Sequence, residues 1–304
     1  MNDGLKLGTR GSPLAMAQAR LVATALAVAH EWDASAVEIV PITTTGDRVQ
    51  DRPLADIGGK ALWTKELDRA LLDGRTDCSV HSLKDVESER PDALHIAAVL
   101  ARADPRDRII GAESIAALKQ GAVVGTSSPR RKAQLLALRP DLRIAPLRGN
   151  VDTRLGKLAS AEMDAIVLAA AGLDRLGRDV GMAVPLDAML PAPAQAVIAL
   201  ECRADDSRTV EAMKRVDDPD THAAILAERA FTAALGATCH SPVAALAMVN
   251  GRRISLRAEI LADDGGERIA DQVMFDTGDL DTPAALATAM LARAPETIRR
   301  LFAP

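Results

Sequence analysis

Three short stretches of this chain bring together side chains that can do chemistry. The longest is GTSSPRRKAQLLALRPDLRIAPLRGNVDTRLGK, residues 125–157. It carries eight basic residues, Arg130, Arg131, Lys132, Arg139, Arg143, Arg148, Arg154 and Lys157, against two acids, Asp141 and Asp152. The run is therefore +6 inside a chain of net charge −5. For Lys132, Arg139, Arg143 and Lys157 a solvated helix face is explanation enough. Placement says more about the others. An apolar run ends at Gly125, and Thr126, Ser127 and Ser128 then open a helical pattern with Pro129 in its first turn. Backbone N–H groups, the helix dipole and hydroxyl donors converge there on an anion, and Arg130 and Arg131 add planar forks suited to carboxylate or phosphate. LRGN repeats the arrangement after the next strand pattern, with Arg148 and Gly149, and Arg154 lies in the helix beyond. A polyanion site is the favoured reading.

The second stretch, VHSLKDVE (80–87), ends a strand pattern with His81, Ser82, Lys84 and Asp85. An acid beside a lysine just past a strand end can move protons or stabilise a cationic intermediate; equally it can be a surface ion pair of little worth. His81 reads as a packed core residue. The third, ALGATCHSP (234–242), sets Cys239 against His240 as a nucleophile with its base, a structural thiol, or something else. Adjacent residues rarely aim their side chains at each other, and a Cys-His dyad draws its members from separate parts of a chain, which counts against the first. GTRGS (8–12) offers a further anion corner in Arg10 and Ser12, although Ser12 alone reads as a helix cap. DIGGKALW (56–63), with Gly58, Gly59, Lys60 and Trp63, lacks the GxxxxGK[ST] of a phosphate-binding loop and reads as a flexible lid or an ordinary loop.

These residues need elements to hold them. Short apolar runs alternate with helical patterns through the first two-thirds: strands at LKLGT (5–9), AVEIVPI, DCSVHS, LHIAAVL, AVVGTS, LRIAPLR, DAIVLA and AVIALEC, with helices at 12–30, 61–74, 129–138 and 151–160. This βαβ rhythm predicts open α/β sheets, two of them, with strand ends meeting at one crevice. Beyond about residue 220 a helix at 221–235 precedes the cysteine loop. VAALAMV, RISLRAEIL and ERIADQVMF then predict a strand meander, and 281–302 a closing helix.

Composition narrows the classes. At 304 residues the chain suggests two or three domains. With 48% hydrophobic and 26% charged residues it reads as globular. Two Trp, three Phe and no Tyr leave little for a base-stacking platform, and the negative net charge argues against nucleic acid. No basic segment precedes an uninterrupted apolar stretch at the N-terminus, and no window of about 18 apolar residues occurs, so neither signal peptide nor membrane span is expected. Cys78, Cys202 and Cys239 form no CxxC pair, which suits a reducing cytoplasm, and with five scattered His they suggest no metal site. Cys78 and Cys202 sit in apolar strand runs and read as buried small hydrophobes.

Taken in order, TRGSPLA, TTTGD, GGKALWTKEL, VHSLKDV, DPRD, GTSSPRRKAQL, LRGNVDTRL, AGLDRLG, LPAPAQAVIALECR, AERAF and the cysteine loop resemble the porphobilinogen deaminase family of tetrapyrrole biosynthesis. The resemblance implies two α/β domains like type II periplasmic-binding proteins with a cleft between them, plus a smaller C-terminal α+β domain. Their bounds would be 1–101 with 197–215, 102–196 and 216–304. It implies an enzyme that condenses four porphobilinogen molecules into hydroxymethylbilane with loss of ammonia, on a covalent dipyrromethane cofactor. By the same resemblance Cys239 is the thioether anchor and Asp85 the catalytic aspartate. Lys84, Asp85, Thr126, Ser127, Ser128, Arg130, Arg131, Arg148 and Gly149 bind the cofactor; Arg10, Ser12, Arg148, Arg154 and Arg175 bind the substrate's acetate and propionate groups; and Gly58, Gly59, Lys60 and Trp63 belong to a lid. A cytoplasmic monomer with no metal, nucleic-acid or membrane partner completes the expectation.

The chain departs from the family's pattern in places. Ala194 and Ala196 flank Gln195 where glycines are usual, Glu87 replaces a proline, Trp63 stands where Phe is common, and His240 and Ser241 are atypical. Two rival classes stay open on residues alone: a non-catalytic binder of small carboxylates or phosphates, and a nucleic-acid binder using the basic run.

Overall fold

The computed structural model describes residues 4–44 and 64–302. In chain order its strands are β1 (Leu5–Arg10), β2 (Val37–Ile42), β3 (Cys78–Ser82), β4 (Leu94–Val99), β5 (Asp107–Ile110), β6 (Val123–Gly125), β7 (Arg143–Ala145), β8 (Ala165–Ala169), β9 (Met182–Ala183), β10 (Ile198–Arg203), β11 (Val243–Asn250), β12 (Arg253–Leu261) and β13 (Arg268–Asp276). The helices are α1 (Pro13–His30), α2 (Lys65–Leu72), α3 (Pro129–Leu138), α4 (Val151–Ala159), α5 (Ala170–Arg175), α6 (Ser207–Lys214), α7 (Pro219–Ala234), α8 (Asp281–Arg293) and α9 (Glu296–Arg299).

The chain divides into two compact units, Met1–Ala103 with Val197–His222, and Asp104–Ala196 with Ala223–Pro304. The first holds a five-stranded sheet in the order β2-β1-β3-β10-β4. There β1 runs parallel to β2 and β3, while β10 is antiparallel to both its neighbours. The second unit repeats the plan as β7-β6-β8-β5-β9, with β6 parallel to β7 and β8 and β5 antiparallel to β8 and β9. In each sheet the antiparallel strand is the first after a crossing between units: β5 where the chain enters the second unit, β10 where it returns to the first. The strand order reverses beside β1 in one sheet and β6 in the other, so the loops after β1, β3, β6 and β8 flank the positions where α/β sheets bind ligands.

Local chemistry explains the elements. Ser12 caps α1 by accepting from the Ala15 N–H, with Pro13 at the first turn. Ser128 and Asn150 do the same for α3 and α4. The first core gathers Leu7, Val22, Leu26, Val80, Leu200 and Met213 between the sheet and its helices. The second unit's α/β sheet is covered on both faces, by a cluster around Ile109, Leu135 and Val167 and another around Leu147, Ile166 and Leu173.

Also within the second unit, β11, β12 and β13 form an antiparallel meander with a separate core. All three phenylalanines of the chain, Phe231, Phe275 and Phe302, lie buried in it. The closing helix expected over 281–302 is interrupted: α8 stops at Arg293, Ala294 takes an extended ψ of 143°, and α9 starts after Pro295. A proline disfavours helical backbone in the residue before it. Strands β5 and β9, four and two residues long, lack an apolar signature strong enough to be expected.

Candidate active site

In the first unit β1 delivers Arg10 at its C-terminal end and β3 delivers the Leu83–Asp85 turn at its own. Between them lies an open hollow of about 460 Å³, counted with the solvent it meets, lined by Arg10, Ser12, Gln18, Thr64, His81 and Asp85 among others. Gln18 ties α1 to the end of β3 through paired hydrogen bonds with the Ser82 hydroxyl, at 2.8 and 3.1 Å. Asp85 is exposed and Lys84 half-buried. Among the described residues Asp85 has no ion-pair partner. The lid candidates Gly58, Gly59, Lys60 and Trp63 lie outside the described residues.

His81 is buried, as its strand pattern suggested, but it is not idle packing. Its Nε2 lies 3.2 Å from Glu201 Oε2, within ion-pair range though not aligned as a hydrogen bond. Glu201, fully buried on β10, also accepts two hydrogen bonds from Arg90, at 2.8 and 2.9 Å. Burial works against the Glu201 charge, but His81 and Arg90 outweigh it and hold the carboxyl down to about 2. Arg90 further donates to Glu87 at 2.9 Å and to Asp68 at 2.5 Å. This cluster spans residues 68 to 201, and only the Glu87-Arg90 spacing hints at it in sequence.

In the second unit the loops after β6 and β7 are stitched together. Ser127 Oγ donates to the Leu147 carbonyl at 2.9 Å and accepts from the Leu147 N–H at 3.0 Å. The Thr126 N–H donates to the Ala145 carbonyl, and Thr126 Oγ1 accepts from the Ser128 N–H. Gly149 turns at φ 104°, and a Cβ there would come within 2.8 Å of Thr153, so the chain reaches the N-terminus of α4 only with glycine. Arg154 Nε donates back to the Gly149 carbonyl at 2.8 Å, and Arg148 is half-buried beside it in the chain.

Arg130 and Arg131 both turn inward. Arg130 Nη2 meets Asp107 Oδ2 at 2.9 Å and Arg131 Nη2 meets Asp107 Oδ1 at 2.6 Å, with Gln195 Nε2 also donating to Oδ1 at 2.9 Å. Burial opposes the Asp107 charge, yet the two guanidinium groups hold its carboxyl well below the usual range. Each arginine keeps one buried N–H, its Nε, without an acceptor. Asp107 belongs to the DPRD motif, but nothing in sequence marks it as their counterion.

Arg175 differs. It ends α5, donates to the Ala196 carbonyl at 2.6 Å, and meets no carboxylate among the described residues, since its neighbour Asp174 pairs with Arg108. Burial pushes its guanidinium down to about 10, with Asp174 offsetting only part. An acidic ligand would relieve that cost. The backbone it touches is itself strained: Ala194 and Ala196, standing where glycines are usual, have φ of 57° and 73°.

The cysteine loop follows α7. The Ser241 N–H donates to the Thr238 carbonyl, closing a tight turn with Cys239 and His240 at its centre. Ser241 Oγ accepts from the Thr238 N–H and donates to the Leu301 carbonyl, holding the turn to the end of the chain. Cys239 is exposed, whereas Cys78 and Cys202 are fully buried and directly opposite each other across β3 and β10. Burial raises both those thiols, Cys202 to about 11.

Residues 5–211 match a family model described as porphobilinogen deaminase, dipyromethane cofactor binding domain, and residues 222–293 match porphobilinogen deaminase, C-terminal domain. The chain belongs to the porphobilinogen deaminase family. The porphobilinogen deaminase of Sphingopyxis alaskensis is 53% identical over 309 residues, covering 99% of this chain and 98% of its own. Those of Paracoccus denitrificans and Xanthomonas oryzae pv. oryzae are each 48% identical, over 90% and 93% of this chain and 89% and 99% of theirs. Among solved structures, the periplasmic VFT2 domain of Bordetella pertussis BvgS aligns with a TM-score of 0.42 at 16% identity, over 71% of this chain and 87% of that one. As a member of the porphobilinogen deaminase family the protein is a transferase of porphyrin biosynthesis. It condenses porphobilinogen head to tail into hydroxymethylbilane on a dipyrromethane cofactor.

Proposed function

We propose that in this chain Asp85 carries the chemistry, Cys239 anchors the cofactor, and the arginines of the two α/β sheets bind the carboxylates of cofactor and substrate. The observation that carries the reading is the state of Asp85. In a unit whose buried acid Glu201 is committed to His81 and Arg90, this carboxylate stands exposed at the hollow beside Arg10 and Ser12.

The residues fit a thioether-linked polycarboxylate. Of three thiols one is open to solvent, at the centre of a turn. Arg175 meets no carboxylate among the described residues, and Arg130 and Arg131, buried against Asp107, each keep an Nε–H unpaired. When bound, the dipyrromethane supplies the free pyrrole α-carbon from which the chain is extended. Arg130, Arg131 and Arg148, with Lys84, Thr126, Ser127, Ser128 and Gly149, hold its acidic side chains; Arg10, Ser12, Arg148, Arg154 and Arg175 hold those of arriving porphobilinogen. A fixed guanidinium fork on each carboxylate orients the ring it belongs to. Asp85 then presents negative charge where cationic character develops as ammonia leaves the substrate's aminomethyl group, and it accepts the proton released at each condensation. Cys239 forms its bond once, during loading, and takes no part in elongation.

The wider expectations are proposed with it: three domains at 1–101 with 197–215, 102–196 and 216–304, and a cytoplasmic monomer without nucleic-acid or membrane partners. The net charge of −5 and the scarcity of aromatics support the first exclusion. No helix among the described residues is long and apolar enough to cross a membrane.

Asp85→Ala tests the assignment. The variant is expected to keep its cofactor, read by intact mass, while turnover falls at least about a hundredfold, the usual scale for losing a proton-transfer group. A loaded variant turning over at the parent rate would remove Asp85 from the mechanism.

A further inference from the structure

Arg90 is the hub of the buried cluster behind Asp85. Its side chain is 8% exposed, yet it touches three carboxylates from three places: Glu201 on β10, Glu87 two residues beyond Asp85, and Asp68 on α2. Its Nη1 also lies 3.5 Å from Thr64 Oγ1, and Thr64 donates to Glu87 at 3.3 Å. Thr64 and His81 are shared: both belong to this cluster, and both line the hollow with Asp85. The segment leaving Asp85 and the start of α2 are thus pinned to the interior strand β10 through one guanidinium.

A buried ion cluster adds little stability over apolar residues of the same volume. What a guanidinium adds is geometry, because its donors form a rigid planar fork that can serve several carboxylates in fixed directions. We infer that Arg90 is a positioning residue for Asp85, holding the turn and the Thr64 edge of the hollow in register with the sheet through Glu87, Asp68 and Glu201. The inference rests on Asp85 being the catalytic carboxylate. Lysine keeps the charge but cannot span the three acids, so Arg90→Lys loosens the turn while leaving the substrate-binding arginines untouched.

The test measures kcat, KM and cofactor content for cofactor-loaded Arg90→Lys, for Glu87→Ala, and for Arg90→Lys combined with Asp85→Glu. A misplacement of about 1 Å costs roughly a hundredfold in rate, so kcat of Arg90→Lys is expected to fall about 10- to 100-fold with KM within about threefold and one cofactor per chain. Glu87 is partly exposed, so Glu87→Ala folds even where Arg90→Lys does not, and its kcat is expected to fall about two- to fivefold. In the Asp85→Glu background Arg90→Lys should cost little more, since both changes act on one group. Parent kcat in both single variants overturns the inference, as does an undiminished loss in the Asp85→Glu background, which would mark a general structural role. Either result leaves the catalytic assignment standing as long as Asp85→Ala is inactive; an active Asp85→Ala overturns both.

Discussion

Exposure separates Cys239 from the other two cysteines and makes it the chain's reactive thiol. Cys78 and Cys202 are enclosed between β3 and β10, where their ionised forms are penalised. With Cys202 at about 11, only about one part in a thousand is thiolate at pH 8. In protein stripped of cofactor, a disulfide reagent is expected to titrate one thiol rapidly and the other two only on unfolding; in loaded protein it should find none until unfolding. A fast second thiol in the folded apoprotein would contradict the burial account. The residue scale is also where sequence was least informative. The basic run marks Arg130 and Arg131 as anion-binding forks, but the counterion that draws them inward, Asp107, stands 23 residues or more away in the chain. Charge patterns along a sequence do not show which charges face each other across a sheet.

At the scale of elements, much could be read beforehand. Helices α1, α3 and α4 begin where Ser12, Ser128 and Asn150 cap them, because capping is local chemistry. The βαβ rhythm predicted two open α/β sheets, but the short strands β5 and β9 are held by pairing with distant strands and carry no local signal. At the bend, Ala194 and Ala196 hold left-handed backbone. Left-handed backbone costs a residue with a Cβ about 1–2 kcal/mol. Glycine would remove that cost but forfeit about 0.4–1 kcal/mol through the freer unfolded chain and about 0.8 kcal/mol for a buried methyl. The terms nearly cancel, so alanine is tolerated there. The braces add to it: Glu228 accepts from the Ala194 N–H, Gln195 Nε2 donates to the Pro105 carbonyl, and Arg175 donates to the Ala196 carbonyl. Ala194→Gly and Ala196→Gly are therefore expected to shift Tm by less than about 4 °C. Ala196→Val, β-branched at φ 73° in a buried position, should lower it by about 6 °C or more. Thermal unfolding monitored by circular dichroism decides, and a glycine variant that gains or loses more than about 4 °C would show that the cancellation is wrong.

For the whole molecule, the two α/β sheets share one strand order and carry their candidate residues on loops at the strand ends where it reverses, while Cys239, the proposed anchor, sits in the loop leading into the antiparallel meander. Fold class and family were legible because many ordered motifs run along the chain, each tied to a turn or strand end. The buried couplings that support those motifs, Arg90 with Glu201 and Asp107 with Arg130, were not, because they join residues far apart in sequence. Intact mass of the protein, purified from a host that makes porphobilinogen, is expected to exceed the bare polypeptide by one two-pyrrole unit, and Cys239→Ser is expected to match its own bare polypeptide. A parent protein at bare mass, or Cys239→Ser with the full two-pyrrole increment, would contradict the account.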